Sequence, residues 1–231
     1  GKGASTDPAN EVVREIKAKG GQAVANFDSV TTSAGGERMV QLALDNFGRL
    51  DILVNNAGVL RDRMFYNMTD EEWDIVLKVH LYGHFYCAKA AAILFRQQRS
   101  GRIINTASEA YFGNAGQANY SAAKGGIVAF TRTIARELGR YGVTCNVINP
   151  RAGTRLVLTP ELKAAWEKNR QMATTKDALA EAQAMDFEKM LPDYVSPLVV
   201  YLATDQAANI NGCVFIVGGG QISIMPEPAP V

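Results

Sequence analysis

Asn119-Tyr120-Ser121-Ala122-Ala123-Lys124, preceded by Gly113-Asn114-Ala115-Gly116-Gln117-Ala118, decides how this chain is read. It follows the strand-like run Arg102-Ile103-Ile104-Asn105-Thr106-Ala107-Ser108. A tyrosine and a lysine four residues apart fall on one face of a helix, one turn from each other. A free phenol titrates near pH ~10, so it serves as an acid or base near neutrality only when its phenolate is stabilised. A lysine ammonium one turn away offers that stabilisation, and the pair is expected to lower the phenol's pKa. Tyr-x-x-x-Lys is a weak signal by itself in a chain with eight tyrosines. A half-buried tyrosine beside a solvated lysine has the same spacing. The Gly/Ala/Asn context is what makes the pair specific.

The rest of the composition bounds the function. With 231 residues, 47% of them hydrophobic, the chain is long enough for one domain with a sizeable core. A net charge of +1 with interspersed signs gives no basic stripe for a nucleic acid. Cys87, Cys145 and Cys213 are scattered and read as reduced, buried apolar residues. No apolar run has the length of a membrane span and no signal peptide is seen, so the expected setting is soluble and cytoplasmic.

Helical and apolar strand patterns alternate, the signature of an α/β protein with a doubly wound parallel sheet. Asp7-Pro8 opens a helix with Val12, Val13 and Ile16 on its apolar face. Ala23-Val24-Ala25-Asn26-Phe27 reads as a strand, and 36–47 as a helix capped by Gly48. Ile52-Leu53-Val54 is a buried strand ending in Asn55-Asn56-Ala57-Gly58. Thr69 and Glu72 form a capping box that starts one long helix to about residue 97. After the Tyr/Lys helix come a strand at 145–148, a polar insertion at 155–192, a helix near 195–203 and a strand at 214–217. Residues 225–231 read as a proline-punctuated tail.

On the Tyr/Lys segment and the Asn55–Gly58 turn, the chain resembles the short-chain dehydrogenase/reductase family over roughly residues 1–224. Residues 20–30, 54–63, 72–75 with 79–81, 192–199 and 212–215 are similar to the (3R)-hydroxyacyl-CoA dehydrogenase branch found in peroxisomal multifunctional enzymes. The resemblance implies a Rossmann-like fold and hydride transfer between a nicotinamide dinucleotide and a secondary alcohol or ketone, among them 3-hydroxyacyl-CoA or hydroxysteroid-type substrates. It implies NAD, with NADP still admissible. Tyr120 would exchange the proton, and Lys124 would lower its pKa and hold the nicotinamide ribose. Asp28 and Ser29 would lie at the adenine, Asn55, Asn56, Ala57 and Gly58 at the adenosine side, and Pro150, Ala152, Gly153, Thr154 and Arg155 at the nicotinamide end.

Two positions depart from the family pattern. The family's catalytic serine stands thirteen residues before the tyrosine, which here is Ala107; Ser108, twelve before, is expected to take its role. Where many members carry an asparagine in the long helix, this chain has His80, a neutral imidazole able to join the lysine's water relay or simply a satisfied interior residue. His80 and His84 lack further partners for a metal, so none is expected. The chain opens at Gly1-Lys2-Gly3-Ala4-Ser5, which resembles the loop after the family's second strand, and the Gly-rich turn that holds the pyrophosphate is not seen. Two other functions fit these facts: a 3-oxoacyl-carrier-protein reductase, and a non-catalytic scaffold without cofactor. Apolar residues on the two long helices (Trp73, Val76, Leu77, Leu81, Phe85; Ile127, Val128, Phe130, Ile134) predict a homodimer or homotetramer.

Overall fold

The computed structural model describes residues 7–154 and 190–226. Five strands form one sheet in the order β1-β2-β3-β4-β5: β1 Ile52–Asn55, β2 Gly101–Thr106, β3 Val143–Pro150, β4 Val214–Gly218 and β5 Gln221–Met225. The first four run parallel, and β5 returns antiparallel to β4. Parallel strands covered on both faces need continuous apolar runs, and β2 and β3 are buried along nearly their whole length.

Helices cover both faces, as a doubly wound sheet requires. On one side α2 (Ser33–Phe47), α4 (Gly83–Gln98) and α5 (Ala118–Leu138) pack Val40, Ala91, Phe95 and Ala135 against Ile103, Val143 and Cys145. On the other, α6 (Ser196–Ala203) packs Leu198 and Leu202 against Ile104, Ile148 and Phe215. The predicted fold class stands: α/β, doubly wound, Rossmann-like.

Several local expectations are corrected. Residues 21–29 take no regular secondary structure, because the expected strand at 23–27 has no neighbour to pair with among the described residues. For the same reason β1 is an edge strand, with Ile52 and Val54 exposed. Helix α1 (Asp7–Ala18) forms as its cap and Pro8 require, yet buries no residue, so Val12 and Ile16 face solvent. Helix α2 begins three residues earlier than expected, capped by Thr32, and ends at Gly48 with a left-handed φ of 75°. Met225, assigned to the tail, belongs to β5. Residues 1–6, 155–189 and 227–231, which include Arg155, most of the insertion and most of the tail, lie outside the described residues.

The predicted single long helix is in fact three pieces. Its Thr69–Glu72 capping box forms and starts α3 (Asp70–Leu77). A π turn at Lys78–Tyr82 then precedes α4. Such single-turn bulges gather at functional sites, and this one carries His80.

Candidate active site

The site stands at the carboxyl ends of β1, β2 and β3, where open α/β sheets bind their ligands. Asn119 sets the start of α5. Its buried amide donates to the carbonyls of Arg61 and Glu72, at 3.0 and 2.9 Å, and its Oδ1 accepts from the Tyr120 backbone N–H at 2.7 Å. Tyr120 is thereby aimed into a cleft of about 360 Å³ that it shares with Ser108, Leu60, Asn114 and Gln117.

One turn on, Lys124 is buried, its ammonium 5.3 Å from the Tyr120 ring centre. Its Nζ donates to the Thr106 carbonyl at 2.6 Å. Burial pushes its pKa down to about 7. The bland reading of a solvated lysine therefore fails. The predicted depression of the Tyr120 pKa is also absent: burial raises it, the Ser108 hydroxyl in hydrogen-bonding reach draws it back, and the Asp62 carboxylate adds to the rise. A lysine that gives up its own charge so readily cannot dominate its neighbour's titration.

Ala107 and Ser108 differ in direction. Ala107 points into the core with Ile127 and Val128, whereas Ser108 faces the cleft and accepts from the Ala110 N–H at 3.2 Å. The turn Glu109–Phe112 after it is a single 3-10 turn.

His80 is buried, and its pKa is pushed down to about 4, mostly by desolvation and then by Lys124. Its Nε2 lies 2.8 Å from the Val59 carbonyl and 3.1 Å from the Val59 N–H. We place the proton on Nε2, for the shorter contact; Nδ1 is then a bare acceptor and has no protein partner. The ring also stands edge-on to Tyr120 and fills the space over Gly58, where a Cβ would come within 2.6 Å of Cε1. His80 thus ties the Asn55–Gly58 turn to the tyrosine.

The remaining predicted residues divide. Pro150 ends β3 and Ala152, Gly153 and Thr154 follow it, and this loop is fastened beside Ser108 by a two-pronged ion pair from Arg151 to Glu109, both contacts 2.7 Å. Asn55, Asn56 and Ala57 line a small apolar cavity with Val30, the residue that follows Asp28 and Ser29 in the chain. Asp28 itself is engaged by Arg38 at 2.6 Å and Asn26 at 2.9 Å, and these contacts hold its pKa below the ordinary value. Ser29 pairs with Thr31. Sequence reasoning passed over Asn119, Asp62, Gln117 and the Arg151–Glu109 pair. Only Asn119 had a signal, its place directly before the tyrosine.

The nicotinamide end of a dinucleotide fits these residues. Thr106 Oγ1 and both amide atoms of Asn149 are buried without a protein partner near the carboxyl ends of β2 and β3, which leaves polar capacity for a bound group. Lys124 stands beside Thr106. Among the described residues no Gly-rich strand–helix turn is present to hold a pyrophosphate.

The chain has clear relatives. A family model described as enoyl-(acyl carrier protein) reductase matches residues 4–221. The peroxisomal hydratase-dehydrogenase-epimerase of Neurospora crassa is 45% identical over 227 residues, covering 96% of this chain and 22% of that protein. Hydroxyacyl-CoA dehydrogenase ChsB1 of Mycobacterium tuberculosis is 42% identical over 238 residues, covering 97% of this chain and 70% of the relative. The crystal structure of a short chain dehydrogenase from Mycobacterium avium matches with a TM-score of 0.79 at 42% identity, over 96% of this chain and 70% of that one. The chain thus spans about a fifth of the first relative and 70% of the other two. A doubly wound sheet, a Tyr120–Lys124 pair at its carboxyl edge and these matches over nearly the whole chain make it a member of the short-chain dehydrogenase/reductase family.

Proposed function

We propose that the protein transfers a hydride between a nicotinamide dinucleotide, NAD by branch resemblance, and the C3 carbon of a hydroxyacyl or oxoacyl thioester. The observation that carries this reading is the meeting of Ser108 and Tyr120 in one cleft, with Lys124 buried against the tyrosine ring. The relatives named as a hydroxyacyl-CoA dehydrogenase and a hydratase-dehydrogenase-epimerase support the substrate class.

The cofactor, when bound, supplies or accepts the hydride. Tyr120 passes the proton to or from the substrate oxygen, and the Ser108 hydroxyl donates to that oxygen as charge develops on it. Lys124 holds the ribose side and, with a pKa of about 7, carries a proton readily in either direction. His80 and Asn119 keep the tyrosine in place, the Asn55–Gly58 turn meets the adenosine side, and the Pro150–Thr154 loop closes the nicotinamide end.

The test is Tyr120→Phe, read with a 3-hydroxyacyl thioester and by NADH fluorescence titration. Turnover should fall by about two to four powers of ten, with nicotinamide affinity nearly unchanged. A Phe variant that keeps more than a third of the wild-type rate would refute the assignment.

A further inference from the structure

Beside Tyr120 and Ser108 the cleft wall is polar, and one side chain on it is held with unusual completeness. The Gln117 amide donates from Nε2 to Asp62 Oδ2 at 2.8 Å, and its Oε1 accepts from Asn114 Nδ2 at 2.9 Å. Both ends of the amide are therefore fixed. The loop that carries Asp62 is itself stitched to the loop before α5, by Arg63 N–H to the Gly116 carbonyl at 2.8 Å and by the Asn119 contact to the Arg61 carbonyl. A primary amide has two N–H groups, and only one is spent on Asp62. The second belongs to a residue lining the same cleft as the reacting hydroxyls.

Charge along that wall is equally specific. Arg63 is bound to Glu72 through both carboxylate oxygens, at 2.8 and 2.7 Å, and Arg151 is bound to Glu109 in the same way. Arg61 turns back to its own chain, donating to the Leu60 carbonyl at 2.6 Å. Among the described residues Asp62 has only the neutral Gln117 amide as its hydrogen-bond partner, and its charge is felt at Tyr120. Lys124 lies beyond the tyrosine ring, buried against Thr106. The wall beside the reacting oxygen therefore offers a neutral donor backed by an anion.

We propose that Gln117, fixed by Asp62 and Asn114, recognises the uncharged second carbonyl of the substrate, so that the site takes a hydroxyacyl thioester and refuses the corresponding free hydroxy acid. This rests on the oxidoreductase reading above. With the C3 oxygen on Tyr120 and Ser108, the C1 carbonyl of a 3-hydroxyacyl thioester is one methylene away and meets the spare Gln117 N–H. A free carboxylate at C1 would also meet the Asp62 charge, without an unpaired guanidinium from Arg63 or Arg151 to neutralise it. Gln117 binds; Asp62 positions it and excludes anions.

The experiment compares kcat/KM of the full-length protein for the 3-hydroxybutyryl thioester of N-acetylcysteamine, free 3-hydroxybutyrate and 2-butanol. The wild type should prefer the thioester over the acid by at least about 100-fold, an electrostatic discrimination of the size expected for like charges at short range. Gln117→Ala and the near-isosteric Gln117→Glu should each cut the thioester-to-alcohol ratio by about tenfold, chiefly in KM. Asp62→Asn keeps an acceptor for Gln117 but removes the charge. It should narrow the thioester-to-acid ratio by about tenfold and move the pH–rate profile toward lower pH, a shift that a purely structural role would not cause. A thioester-to-alcohol ratio unchanged within about twofold in both Gln117 variants would overturn the proposal, as would a wild type that oxidises the acid as well as the thioester. Failure to turn over all three substrates would instead overturn the oxidoreductase reading, and this inference with it.

Discussion

The His80 imidazole meets the Tyr120 ring edge-on, with centroids 5.1 Å apart and planes at 85°. Such a contact contributes about 0.5–1.5 kcal/mol beyond its buried area. Its larger effect is mechanical. The same imidazole is hydrogen-bonded to Val59, so the Asn55–Gly58 turn and the Tyr120 ring share one support.

Gly58→Ala should break that support. A Cβ there would stand 2.6 Å from His80 Cε1, so the ring must turn away from Val59, Tyr120 or both. We expect a stability loss of about 1–3 kcal/mol from overpacking, measured by urea unfolding, and a fall in kcat/KM. A variant with wild-type kcat/KM would show that the ring's position does not matter to catalysis.

Ser108→Ala should raise the barrier by about 2.7–4 kcal/mol, the effect of losing one donor to a developing oxyanion. It should also lower kcat more than it raises KM, because the donor matters most at the transition state. Near-normal kcat would give the oxyanion to another group.

Stability should fall on mild acidification. His80 and His84 have folded pKa values pushed down from 6.5 to about 4 and about 3, both chiefly by burial. The unfolded chain therefore binds more protons than the folded one below pH 6.5, and stability drops as pH falls through that window. Lys124, lowered from 10.5 to about 7, acts in the same sense at higher pH and adds stability as pH rises between those values. Urea midpoints of wild type and His84→Gln at pH about 7.5 and about 5 test the lower window. The variant should lose less stability over the interval, and an equal loss would clear His84 of the effect.

Two copies should pair through the outer side of α4. Phe85 and Ile93 are exposed there at 42% and 56%, Tyr82 at the end of the preceding π turn at 49%, and Phe130 of α5 packs against Phe85. That apolar patch favours a covered state. Light scattering at micromolar concentration should give at least a dimer, and Phe85→Glu should shift it toward monomer. A wild-type monomer would count against the face.

What the sequence made legible follows from how local each determinant is. The Thr69–Glu72 box, the Gly48 cap and the Tyr120–Lys124 spacing are written within a few residues, and each formed as expected. Residues 23–27 have strand-like composition, but a strand also needs a partner, and composition carries no partner. The apolar positions of the two long helices could not be sorted from sequence for a related reason: Val76, Ile127 and Val128 are core, and only packing separates them from Phe85. The direction of Tyr120's pKa depends on desolvation, which appears only once the chain has folded. That Ala107 and Ser108 face opposite ways was legible, because one residue of shift in a strand-like run turns a side chain to the other face.

The π turn at Lys78–Tyr82 gives the helix one more residue than its α-helical path requires. Deleting one of the five would restore ordinary α-helical winding and leave the residues after the turn facing almost as they do now, because the bulge already absorbs the extra residue. His84, Cys87, Ala88 and Phe95 would stay turned inward, and what would change is the place of His80 within the turn. The surplus residue thus serves the imidazole and not the packing of the helix. A single-residue deletion here should spare the fold while moving the ring away from Tyr120.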